Sequence, residues 1–134
     1  MIGGMKHLLC GFLLGLLVVG SSVAARLDVT EEENGKDLLL DRGDLLVVHL
    51  PANRTTGYSW QPSYSAKGVL KPEGEAFYLA NRTSSHLVGS GGTESWIFRA
   101  EKAGRITLTL GYVRPWEKGK APGKTVAWPV TVRP

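Results

Sequence analysis

The sequence is poor in the side chains that most often carry covalent or metal chemistry. Its one cysteine is Cys10, and its three histidines are His7, His49 and His86. A structural zinc site takes three or four ligands from cysteine, histidine and carboxylate side chains. After residue 25 the sequence offers no cysteine and only two histidines, which are far apart. We therefore expect neither a bound metal nor a thiol nucleophile in the folded domain.

Patterns typical of hydrolases and calcium sites are missing as well. A hydrolytic triad needs a nucleophile, a base and an orienting carboxylate that converge. Ser84 and Ser85 stand in no nucleophile-elbow motif, and His49 falls on the outward face of a predicted strand. The consecutive carboxylates of Glu31–Glu33 lack the alternating spacing of a calcium loop. The sequence therefore predicts a protein that is not an enzyme and needs no cofactor.

The N-terminal apolar run is too short to cross a membrane. It extends from Leu8 to Val19, 12 residues, whereas a spanning helix needs about 20. Lys6 precedes this run, and small residues ending at Ala25 follow it, which is typical of a secretory signal peptide. No small residues precede Cys10, so a lipid anchor is not expected. We predict a signal peptide over residues 1–25, and an exported product, periplasmic or secreted, without membrane attachment.

The charge of the remaining chain is low and mixed. Removing 25 of the 134 residues leaves 109, with 15 basic and 12 acidic side chains and a net charge of +3. Because the basic residues are scattered singly among acidic ones, no stripe for binding nucleic acid is expected. A chain of this length without disulfides can still be held by one hydrophobic core. Residues 26–134 are predicted to form a single, monomeric domain.

Short strands dominate the mature sequence, and no segment shows helical periodicity over ten residues. Seven or eight strands are predicted, which indicates an all-β, immunoglobulin-like antiparallel β-sandwich. Two hairpins are expected, Asp37–Asp41 with Leu45–Leu50, and Glu94–Ala100 with Ile106–Tyr112. Pro129 in the last strand favours an edge position or a bulge.

Three connecting segments are unusual for their composition. The first combines β-branched threonines, which are stiff, with a glycine that permits conformations forbidden to other residues. It is either an ordinary turn or a rigid tip that loses little freedom on docking. This first loop consists of Asn53, Arg54, Thr55, Thr56, Gly57 and Tyr58.

The second segment, residues 81–93, shows no apolar alternation, and long ordered loops are usually functional. It ends in Gly89, Ser90, Gly91 and Gly92. This is either an indifferent flexible loop or a backbone that must pass close to another surface. A phosphate cradle is not supported, because no helix follows.

The third segment is Arg114, Pro115 and Trp116, directly after a predicted strand. Trp116 either folds back over the rim of the core or forms a rigid anchor, since tryptophan and arginine are enriched among binding hot spots. Counting strands places the loops at 53–58, 81–93 and 114–124 at one end of the sandwich. The loops at 61–68, 72–75 and 101–105 are predicted at the other end. Such clustering favours a shared binding surface.

These three loops, in this order, resemble those of the chagasin-type inhibitors of papain-like cysteine proteases. That family carries an Asn-Pro-Thr-Thr-Gly-Tyr loop, a glycine-rich loop and an Arg-Pro-Trp loop. The resemblance implies a reversible, tight inhibitor whose loops block the protease cleft without a covalent bond. It places Thr55 near the catalytic cysteine and histidine, the glycine-rich loop along the non-primed side, and Trp116 against aromatic residues on the primed side. An exported carbohydrate-binding or adhesive module is the alternative, since Tyr58 and Trp116 could stack on sugar rings.

Arg54 departs from the family pattern, where a proline is found. The change removes a φ restraint from the tip and creates an Asn-X-Thr sequon at Asn53, joined by a second one at Asn81. A glycan on Asn53 would obstruct the tip. The inhibitor interpretation therefore expects a host that does not glycosylate its exported proteins at such sites, such as a bacterium.

Overall fold

A computed structural model describes residues 24–81 and 91–134, and nine β-strands account for most of them. Alternating apolar side chains build the strands, and turns with glycine or proline end them. Two short 3-10 turns, Glu31–Glu33 and Arg54–Thr56, are the helical segments of the described chain. The strands are β1 (Arg26–Thr30), β2 (Leu38–Asp41), β3 (Leu45–Ala52), β4 (Ser59–Tyr64), β5 (Leu70–Pro72), β6 (Phe77–Ala80), β7 (Gly92–Ala100), β8 (Gly104–Val113) and β9 (Lys124–Arg133).

The strands form two sheets packed as a sandwich. One sheet has the order β1-β3-β7-β5, with β6 also paired to β7, and the other has the order β2-β9-β8-β4. The predicted all-β sandwich is confirmed. Two details differ, because there are nine strands rather than seven or eight, and the pairs β1–β3 and β2–β9 are parallel.

Both predicted hairpins are wrong. β2 pairs with β9 and β3 pairs with β7, so the turn at Arg42–Asp44 crosses from one sheet to the other. In the same way β7 and β8 lie in different sheets, and Gly104 at φ 155° stands at the crossing. Alternating apolar residues fix which face of a strand is buried, but a strand in either sheet can satisfy that requirement.

The core between the sheets is aromatic and aliphatic. Trp60, Phe98 and Trp128 are fully buried within it. Both buried indole N–H groups find acceptors, as Trp60 Nε1 donates to the Pro51 carbonyl at 3.0 Å and Trp128 Nε1 donates to the Glu33 carbonyl at 2.7 Å. Burying an indole N–H without an acceptor would be costly, but both groups are hydrogen-bonded here. The two tryptophans can therefore pack in the core without that cost.

Pro129 does not lie in an edge strand, because β9 has neighbours on both sides, but the pairing with β2 does not reach this residue. It is opposite Thr107 of β8, and pairing with β2 begins one residue later, at Val130. Among the described residues no helix is long and apolar enough to cross a membrane.

The strand register brings three connections to one end of the sandwich. Ala52 at the end of β3 is opposite Gly92 at the start of β7, and Ala80 at the end of β6 is opposite the same glycine. Ser59 at the start of β4 is opposite Val113 at the end of β8. The loops after β3, β6 and β8 therefore leave the sheets together.

Candidate functional site

The structure brings together the described parts of all three predicted loops. Arg114 Nε donates to the Thr56 carbonyl at 3.1 Å, which joins the third loop to the first. Gly91 lies beside the first loop, where a Cβ would be 3.3 Å from the Ala52 carbonyl oxygen. Gly89 and Ser90 lie outside the described residues. The predicted clustering is thus observed for 53–58, 91–92 and 114–116.

The first loop is a capped 3-10 turn. The Asn53 Oδ1 atom accepts from the Thr55 N–H at 3.1 Å and from the Thr55 hydroxyl at 2.6 Å. The Thr56 hydroxyl donates to the Asn53 carbonyl at 2.7 Å, and Gly57 closes the turn with a φ of 83°. Asparagine is a favoured cap because its side chain can replace a missing backbone acceptor. Local hydrogen bonds therefore order the tip, although Arg54 stands in place of a proline.

Trp116 rests on this turn and remains 65% exposed. Its ring occupies the space that a Cβ at Gly57 would fill. Neither sequence alternative describes it fully, because the tryptophan is seated on the backbone of the first loop and still offers most of its surface to a partner. Only glycine permits both the left-handed backbone and this close approach.

A column of stacked side chains supports the two loops from below. The Arg114 guanidinium lies 4.5 Å from the centroid of the Tyr58 ring, which stacks on Tyr112 at 5.1 Å. Tyr112 lies 4.8 Å from the buried Trp60, and its hydroxyl accepts from the Asn53 N–H at 2.8 Å. Cation–π and aromatic contacts of this kind each favour one geometry. The loops are thereby connected to the hydrophobic core.

Gly92 allows β6 and β7 to approach each other. A Cβ there would overlap the Leu79 carbonyl oxygen and would lie 2.8 Å from the Ala80 Cα atom. Gly92 is therefore a place of close backbone approach within the fold, whereas the predicted approach of the glycine-rich end to another surface stays a prediction. The observed approach is to the protein's own β6 strand.

A buried carboxylate that was not predicted from the sequence lies beneath the site. Glu94 is only 4% exposed, and its Oε2 atom accepts from the Trp60 N–H at 3.2 Å and from the Trp96 Nε1–H at 3.0 Å. Burial raises the pKa of Glu94, while these two hydrogen bonds and the charge of Arg54 oppose the increase. Glu94 joins β7 of one sheet to β4 of the other. Its alternation with Trp96 and Phe98 was the available signal that it faces the core.

His49 lies in a polar network on the outer face of β3. Its ring contacts the Ser95 hydroxyl and the Asp28 carboxylate, each at 2.8 Å. A hydrogen bond from Arg26 holds the pKa of Asp28 well below its usual range. Although the residue types match a hydrolytic triad, Ser95 is only 3% exposed and lies within a strand, so no substrate carbonyl could reach its hydroxyl. Within residues 24–81 and 91–134 no cluster of side chains could hold a metal ion.

The site therefore offers a surface formed by three loops that meet at one end of the sandwich. It presents Thr55, the Trp116 ring and the Gly91 backbone together, without a reacting group among them. Such a surface can occupy a partner's cleft, and its order before binding reduces the entropy lost on docking.

Comparisons with known proteins agree with this geometry. Residues 40–130 match the family model described as chagasin family peptidase inhibitor I42. The chain is 31% identical to amoebiasin-2 of Entamoeba histolytica over 128 residues, which cover 91% of this chain and 98% of that protein. It is 34% identical to chagasin of Trypanosoma cruzi over 92 residues, 66% of this chain and 81% of that protein. A crystal structure of a cysteine protease inhibitor from Entamoeba histolytica superposes with a TM-score of 0.73 at 30% identity, over 84% of this chain and 100% of that one.

Proposed function

Because the chain belongs to the chagasin family of peptidase inhibitors, we propose that it inhibits papain-like cysteine proteases. The inhibition is reversible, tight and non-covalent, and the three loops occupy the active-site cleft. The observation that carries this proposal is the meeting of loops 53–58, 91–92 and 114–116 at one end, with Arg114 bonded to the Thr56 carbonyl.

The tip can fill a cleft without being cleaved, because its backbone is not available in an extended form. Proteins that bind extended peptides do so through main-chain hydrogen bonds. Here the Thr56 N–H already donates to the Asn53 carbonyl at 3.1 Å, and the Gly57 N–H donates to the Arg54 carbonyl at 3.2 Å. A substrate-like pose would have to break these bonds. The threonine side chains therefore meet the catalytic residues while no peptide bond is presented for attack.

Trp116 is the proposed anchor on the primed side of the cleft. Exposed tryptophans seated on a fixed support lose little entropy on binding and are frequent hot spots. The residues around Gly91 and Gly92 would lie along the non-primed side. A wedge of this kind should bury about 800 Å² on the inhibitor's side, as other protease–inhibitor interfaces do.

The carbohydrate-binding alternative is not supported. Sugar stacking needs an open aromatic face, but Tyr58 has Tyr112 on one side and the Arg114 guanidinium close to its ring as well. Of these two side chains only Trp116 is mostly exposed, and the comparisons name protease inhibitors.

Export as a monomer is part of the same proposal. The basic, apolar and small-residue pattern of residues 1–25 supports a cleaved leader, and β1 begins at Arg26. Inhibition further requires that Asn53 carries no glycan, because its side chain caps the tip through Thr55. A glycan on Asn53 of the native protein, detected by mass spectrometry, would count against inhibition.

The non-covalent mechanism can be tested with an excess of inhibitor over papain. After incubation, rapid dilution in the presence of substrate should restore activity slowly and completely, and the intact mass of both proteins should be unchanged. A mass increase on the protease, or a cut within residues 53–58, would contradict the mechanism.

A further inference from the structure

Arg54 folds back onto the neighbouring strand rather than projecting from the tip. Its guanidinium carbon lies 4.6 Å from the centroid of the Tyr78 ring. Tyr78 belongs to β6, the strand that leads into the second loop. The contact therefore joins the first loop to β6. A guanidinium at this distance over an aromatic face is attracted by the ring.

The platform beneath Arg54 is itself fixed. The Tyr78 ring packs against the hydrophobic core, and Gly92 leaves room for it, since a Cβ there would be 2.9 Å from Tyr78 Cζ. Glu94 is opposite Tyr78 on β7. The ring under the guanidinium is therefore supported by the core and by the neighbouring strand.

We propose that Arg54 is a positioning residue, whose stacking on Tyr78 holds the tip in its binding conformation before the protease arrives. This inference rests on the proposed inhibitory function. A proline would order the same position by fixing φ, whereas Arg54 orders it through a contact between two loops. The residue contributes to inhibition through the shape of the tip rather than through a bond to the protease.

This role predicts a particular kinetic signature. When the competent conformation is populated less often, the apparent affinity falls by that fraction. The loss then lies in the association rate constant, whereas loss of a direct contact mainly raises the dissociation rate constant. An exposed cation–π contact of about 1 kcal/mol corresponds to a change of roughly fivefold.

Arg54→Gln and Arg54→Lys form a matched pair of variants, because glutamine removes the positive charge and lysine keeps it. We expect Arg54→Gln to lower the association rate constant for papain about three- to tenfold with dissociation unchanged, and Arg54→Lys to restore most of the rate. Arg105→Gln is the control for net charge, because Arg105 is exposed at the start of β8, at the opposite end. It should leave the association rate constant unchanged.

Tyr78→Leu removes the platform and leaves Arg54 in place. It should reproduce the kinetic effect of Arg54→Gln, and the double variant should be no slower than either single variant. A raised dissociation rate constant in Arg54→Gln, an additive double variant, or unaltered kinetics would each overturn the proposal.

An NMR measurement on the free protein separates this proposal from the inhibitory function. The Arg54 Hδ protons should be shifted upfield by the Tyr78 ring, the shift should vanish in Tyr78→Leu, and backbone order parameters over residues 54–57 should fall in Arg54→Gln. These NMR results are expected for the free protein whether or not it inhibits papain. An unshifted Arg54 signal would overturn the positioning role while leaving inhibition by the wild type intact.

Discussion

At the scale of single residues, Gly57 joins a backbone requirement to a packing requirement. Its φ of 83° lies in the left-handed region, and the Trp116 ring fills the space beside its Cα atom. Gly119 has a similar φ of 81°, but a Cβ there would meet nothing within 4 Å. Alanine at the two positions therefore separates backbone strain from displacement of Trp116.

Gly57→Ala and Gly119→Ala should each lower the free energy of unfolding by about 1 kcal/mol through left-handed strain. Only Gly57→Ala also moves Trp116, so its inhibition constant for papain should rise by more than about tenfold, while that of Gly119→Ala stays within about twofold. Denaturant titration and steady-state inhibition measure the two effects. Equal inhibition constants would show that the seat of Trp116 has no part in binding.

Glu94 makes stability depend on pH in the direction opposite to most carboxylates. Because burial raises its pKa above the ordinary value of 4.5, the folded state favours the neutral acid. The stability that accompanies this form is fully present below pH 4.5 and is lost as the pH rises through the raised pKa.

Glu94→Gln should remove this dependence while keeping one oxygen to accept from Trp60 and Trp96. Its free energy of unfolding should exceed that of the wild type at neutral pH, and the difference should shrink below pH 4.5. Glu73→Gln should behave in the opposite sense, since a hydrogen bond from Arg99 lowers the pKa of Glu73. Denaturant titrations from pH 3 to 8 test both, and a difference independent of pH would contradict the account.

At the scale of elements, the sequence predicted the strands better than their partners. Alternation located β3, β7, β8 and β9 and the faces that they bury. It could not distinguish a hairpin from a crossing between sheets, because both bury the same face. The prediction that the segment 72–75 is a loop at the other end of the sandwich was also wrong. β5 and β6 run in the same direction along β7, so the chain does not reverse between them.

The third loop gives the clearest test of an element that binds without stabilising the fold. Trp116→Ala should raise the inhibition constant by more than about tenfold and change the melting temperature by less than about 2 °C, because the side chain is mostly exposed. Leu39→Ala removes another exposed apolar side chain, from the outer face of β2, and should leave inhibition unaltered. A large fall in melting temperature would identify Trp116 as part of the core.

At the scale of the whole molecule, the clustering of the loops was predictable although the strand partners were not. A connection that crosses between the sheets reverses the chain direction, just as a hairpin does. The end of the sandwich at which a loop lies therefore does not depend on which strand its neighbouring strands pair with. Contacts between loops were beyond prediction, since the stacking of Arg54 on Tyr78 joins residues distant in the sequence. Family membership confirms that the protein is an inhibitor rather than an enzyme.

Inhibition is tested most directly by titrating papain, whose active sites have been counted, with the purified protein. Residual activity should fall linearly with added inhibitor and reach zero at one inhibitor per active site. Retention of full activity with micromolar protein would contradict inhibition of this enzyme class by the three loops.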